Sequence, residues 1–173
     1  MPVAAYLDTL LLLLVVAAAI NDLSTRRIPN LLLLSGLAGA LALHALSPDP
    51  GPALLDALKG ALTGLLVFLP FYLARGMAAG DVKMMATVGA FIGPGPALYV
   101  DILAWCAGGA MALAFLIYRR QLGLALTNMW SIVKPALLRL PAVPVEARAS
   151  AGSMPYGLAI AAGTIYLLIG RYA

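Results

Sequence analysis

Six apolar runs, separated by charges or by clusters of glycine and proline, dominate this chain and constrain its fold more than any other feature. They cover approximately Val3 to Ile20, Leu31 to Leu46, Pro52 to Ala74, Val82 to Ile92, Ala97 to Tyr118 and Met154 to Ile169. About 20 apolar residues in a helix cross the roughly 30 Å hydrocarbon layer of a bilayer, and most of these runs approach that length. Among 173 residues, 63% are hydrophobic and 10% charged. A soluble domain needs about 25% charged residues to cover its surface, so the sequence specifies an all-α polytopic membrane protein. It forms one membrane-embedded domain over 1–173, with no room for a second sizeable soluble one. The first run contains Asp8, lacks a basic segment before it and is followed by further spans, so it reads as a retained helix rather than a cleaved signal.

The cations set the expected orientation. With six spans, the loops after the first, third and fifth hold Arg26, Arg27, Arg75, Lys83, Arg119, Arg120, Lys134, Arg139 and Arg148, against Lys59 and Arg171 on the other side. Nine against two places those loops in the cytoplasm and both termini outside. The net charge of +4 therefore reads as a topology signal, and no nucleic-acid partner is expected. Residues 119–153 form the longest cytoplasmic stretch, with an amphipathic, interface-lying segment over 121–133 and a linker over 141–153. Cys106 is the single cysteine, which excludes an internal disulfide and a multi-cysteine metal site.

The fourth run is short: 11 residues from Val82 to Ile92 make about 16 Å of helix, half the hydrocarbon thickness. Either Gly93 to Pro96 re-enters from outside, or the glycine-rich segment before Asp81 lies below the cytoplasmic surface around a hydrated pocket. Irregular backbone at that depth requires a covering of protein or water.

Ionisable residues in or beside a span each need a reason. Asp49 and Glu146 fall in loops, Asp56 and Lys59 suit an i,i+3 pair, and Asp8 and Asp101 suit interfacial positions. Asp22 and Asp81 differ, because the expected topology puts both at the cytoplasmic boundary. Two carboxylates brought together ionise singly and share a proton. Such a pair can activate water with one member and protonate an oxygen with the other; intramembrane aspartates also serve proton relays. Lys83, two residues after Asp81, suits either an electrostatic role or a snorkelling anchor. His44 and Trp105 read as packing or interface residues, and Ala107-Gly108-Gly109-Ala110 as a helix-packing patch.

Asp22 followed by Ile28-Pro29-Asn30, together with Gly80-Asp81-Val82-Lys83, resembles the two motifs of the type IV prepilin peptidases, the GxGD membrane aspartic proteases. Met154-Pro155-Tyr156-Gly157 resembles a third, weaker motif. The short form associated with tight-adherence pili is the most similar, lacking the N-methyltransferase domain and its zinc site. The first motif glycine is replaced by Ala78. The resemblance implies an aspartic endopeptidase of the bacterial inner membrane with Asp22 and Asp81 catalytic, and Gly80, Lys83, Pro29 and Asn30 as motif support. It implies no metal or other cofactor. The implied substrate is a prepilin with a basic leader, a glycine at the cleavage site and a hydrophobic helix, and membrane lipid and pilus or secretion assembly proteins are the other expected partners. A proton-coupled transporter, or an inactive peptidase-like scaffold of a secretion assembly, is the alternative.

Overall fold

A computed structural model describes residues 3–74, 76–120, 123 and 155–173. Among these the chain is all helical: α1 (Val3–Thr25), α2 (Asn30–Ala45), α3 (Pro50–Leu73), α4 (Ala79–Ile92), α5 (Pro94–Tyr118) and α6 (Tyr156–Tyr172). Three of them, α1, α3 and α5, are long and apolar enough to cross a membrane, and α2 is a shorter apolar helix. The amphipathic segment and linker expected over 121–133 and 141–153 lie outside the described residues. Two compact units are present, 1–107 with 155–173, and 108–154. In the second, just past the end of α5, the Arg119 guanidinium lies 4.6 Å from the centre of the Phe115 ring.

In the first unit, α4 is the central element. It packs against α1, α2, α3 and α6, and 10 of its 14 residues are buried. At 1.5 Å per residue it spans about 21 Å, longer than the run expected from the sequence and still short of the hydrocarbon layer. Protein, rather than lipid, surrounds it, so its length need not match the bilayer. Its far end closes tightly. Gly93, at φ +79°, is the sole residue between α4 and α5, and Pro94 opens α5. Residues 94–96 are already helical in α5, so they form no separate segment between the two helices.

Close backbone contact holds α3 on α4. A Cβ on Gly60 would strike the Gly89 carbonyl, one on Gly89 would strike the Gly60 carbonyl, and one on Gly64 would strike the Met85 carbonyl. Small residues permit this approach where lipid tails leave helices little hydrophobic reason to associate. In the patch expected at 107–110, Gly108 is buried, whereas Gly109 is exposed and a Cβ on it would meet open space.

Toward the other end of the unit, His44 Nε2 donates to the Ala90 carbonyl at 3.0 Å, tying α2 to α4. Arg171 pairs with Asp8 at 2.6 Å, and the Tyr172 hydroxyl donates to the same carboxylate at 2.9 Å, tying α6 to α1. Asp56 and Lys59 are exposed at the start of α3, and no ion pair joins them.

Candidate active site

The buried stripe of α1 runs Leu7, Leu11, Leu14, Val15, Ala18 and Asp22, spacings that put all six on one helical face. Asp22 thus faces the interior from inside α1, one turn before its end. After Thr25 the chain leaves the helix at Arg26, whose φ of 55° is left-handed, and turns through Ile28 and Pro29 into α2. On α4, Asp81 heads a second stripe with Met84, Met85 and Val88. Exposure is 6% for Asp22 and 5% for Asp81. The two carboxylates lie within electrostatic range of each other, and Arg26 within range of Asp22.

A third element completes the site. Pro155 caps α6 and Tyr156 begins it, with the tyrosine ring edge-on to the fully buried Phe68 at 5.9 Å. Phe68 in turn stacks on Trp105 at 6.3 Å, and Phe71 meets Trp105 edge-on at 5.2 Å. This aromatic cluster fixes the start of α6, where the first N–H groups have no partner within the helix. One of them, Gly157 N–H, donates to Asp22 Oδ2 at 2.8 Å. A helix N-terminus aims both its free N–H groups and its dipole at an anion, so the contact suits a charged carboxylate.

The packing leaves no room for a side chain there. A Cβ on Gly157 would lie 2.9 Å from Asp22 Oδ2 and 3.2 Å from Ile28 Cδ1. At Gly80 a Cβ would find Ile28 at 3.5 Å, an ordinary contact. The glycine that allows close backbone approach to a carboxylate is therefore Gly157. Ile28 touches both sides of the site, lying against Gly80 on α4 and Gly157 on α6.

Ala78, standing in the first glycine position of the GxGD pattern, caps α4 with φ −80° and ψ 150°. Any residue adopts that extended conformation, and its carbonyl accepts the Asp81 N–H at 3.2 Å. Lys83 and Asn30 come together, with Nζ donating to Oδ1 at 3.0 Å. Lys83 is exposed and Asp81 buried, as expected for two residues about 200° apart around a helix.

Asp101 departs from its expected interfacial place. It is 0% exposed, on the buried face of α5 with Ala97, Val100 and Ala104, and neither carboxyl oxygen has a hydrogen-bond partner among the described residues. No group of three or more metal-binding side chains occurs among the described residues.

Neither curated proteins nor solved structures give a match to the chain. A family model, the type IV leader peptidase family, matches residues 9–113, a stretch that includes both Asp22 and Asp81.

Proposed function

The chain belongs to the type IV leader peptidase family, and from that premise we propose that it is a membrane aspartic endopeptidase in which Asp22 and Asp81 cut the leader from a prepilin at the cytoplasmic boundary. The observation that carries this reading is the convergence of two buried aspartates from separate helices, one of them held by the N-terminus of a third.

The two carboxyl groups have different surroundings, which suits different roles. Asp22 receives the Gly157 N–H and lies near the Arg26 charge, so it acts as the base. The Asp81 carboxyl, buried on α4 beside Asp22 and without a cation of its own, carries the proton that the pair shares. Asp22 takes a proton from water, and the water oxygen bonds to the scissile carbonyl carbon. Asp81 gives its proton to the carbonyl oxygen, producing a neutral tetrahedral diol. Asp22 then delivers its proton to the amide nitrogen as the C–N bond breaks. The remaining hydroxyl proton returns to Asp81, leaving a carboxylic acid and an amine.

The substrate in this reading has a cationic leader, a glycine at the cleavage site and an apolar helix that enters the bilayer beside the peptidase. Recognition rests on the helix and the glycine, because Arg26 and Arg27 repel a basic leader at this end.

Co-expression with a candidate prepilin tests the reading. Wild type removes the leader; Asp22→Asn and Asp81→Asn, each inserted in the membrane at wild-type level, lose at least about 100-fold, the usual scale for one general acid or base. Cleavage that persists in either variant removes that aspartate from the mechanism.

A further inference from the structure

A trough of about 440 Å³ opens between α2, α3 and α4, and nothing in the peptidase mechanism uses it. Its walls are Leu31, Leu34 and Leu37 of α2, Ala61 and Leu65 of α3, and Ala86 of α4. Lys83 and Asn30 also line it. These two polar residues begin one end, since Asn30 is the first residue of α2 and Lys83 lies in the first turns of α4. From Asn30 to Leu37 the apolar wall runs about 10 Å along the helix. Leu31 and Leu34 are 77% and 64% exposed, so the trough opens sideways toward the bilayer.

The charge at the polar end is unbalanced. Lys83 Nζ donates to the neutral amide oxygen of Asn30, and an ammonium has two further donors. No carboxylate among the described residues forms an ion pair with it. Arg27, exposed in the connection that leads into Asn30, adds a further cation to the same end. A molecule complementary to this arrangement has an anionic head and an apolar tail. Basic pockets between membrane helices hold the head groups of acidic lipids in this way.

We propose that the α2–α3–α4 trough is a binding site for an anionic phospholipid, with the lipid phosphate on Lys83 and one acyl chain lying along Leu31, Leu34 and Leu37. The Asn30 amide holds the ammonium at the mouth, so less side-chain freedom is lost when the phosphate arrives. A polypeptide helix would fill the apolar part but brings no anion to Lys83. A zwitterionic lipid brings a phosphate together with a cation that Lys83 and Arg27 oppose.

Native mass spectrometry of the full-length protein released from detergent micelles, titrated with phosphatidylglycerol or phosphatidylcholine of the same chains, tests the site. Wild type retains phosphatidylglycerol at least fivefold better than phosphatidylcholine. Lys83→Gln abolishes that preference and Lys83→Arg keeps it. Leu34→Asn, on an exposed wall position that the fold does not need, weakens retention of both lipids. Equal retention of the two lipids by wild type, or an unchanged preference in Lys83→Gln, overturns the proposal. So does capture of a prepilin in place of lipid by a photoreactive residue at Leu34 in phosphatidylglycerol vesicles.

Discussion

Gly157 shows what one hydrogen atom in place of a methyl group does at this site. Its N–H holds Asp22 Oδ2, and its missing Cβ is the space that the same oxygen needs. Gly157→Ala keeps the donor and adds a carbon within 2.9 Å of the carboxylate, so the carboxylate must turn away or α6 must withdraw. A displacement of that order at a reacting group costs up to about 100-fold. Leader cleavage by Gly157→Ala is expected to fall 10- to 100-fold, measured at matched membrane levels. Ala78 gives the opposite expectation. Its backbone is extended and needs no glycine, and glycine is itself an acceptable helix N-cap, so Ala78→Gly should cleave within about twofold of wild type. A large gain in rate would mean that the alanine constrains the approach to Asp81 in a way its dihedral angles do not reveal. At Asp101, the carboxyl contributes no hydrogen bond among the described residues. Asp101→Asn keeps the shape and exchanges one unpartnered polar group for another, so thermal stability in detergent should change by less than about 1 kcal/mol. A loss above about 1 kcal/mol would reveal a partner for the carboxylate.

At the scale of elements, the helices were legible in the sequence and their faces were not. Apolar runs bounded by charges and by Gly/Pro clusters marked the six helices of the described residues, because spanning the bilayer requires long uninterrupted hydrophobicity. The same requirement erases the period that would show which side is buried: α1 is apolar all round, and only the fold shows that Asp22 continues the Leu11, Val15, Ala18 stripe. For the same reason the burial of Asp101 on α5 was hidden. The glycines that pack α3 on α4 were equally silent, since Gly60, Gly64 and Gly89 look like Gly109 until backbones are placed against each other. Gly89→Ala would drive a methyl group into the Gly60 carbonyl, which is backbone and cannot rotate aside. Overpacking of this kind costs about 1–3 kcal/mol, so the variant should lose helicity at lower temperature in detergent while Gly109→Ala, facing open space, should not.

For the whole molecule, the two aspartate motifs were readable because each is local, whereas the contact that completes the site joins residues 135 apart in sequence. The Met154 to Gly157 segment stood out as a pattern, but its donor role depends on how α6 docks, which no local signal carries. Orientation is the remaining property on which cytoplasmic cleavage depends, and it follows from charge rather than from the fold. The α1–α2 connection carries Arg26 and Arg27, while the α2–α3 connection carries Asp49 and no cation. The positive-inside rule therefore puts Ser24 in the cytoplasm and Ser47 outside. Both can be tested in a Cys106→Ser background, since Cys106 is exposed and would otherwise react. A cysteine placed at Ser47 should label with a membrane-impermeant maleimide once the outer membrane is opened, and one placed at Ser24 only after the inner membrane is breached. The reverse pattern would put Asp22 and Asp81 at the outer face. A leader removed there would have to cross the membrane first, and the cytoplasmic cleavage proposed for this peptidase would fall with it.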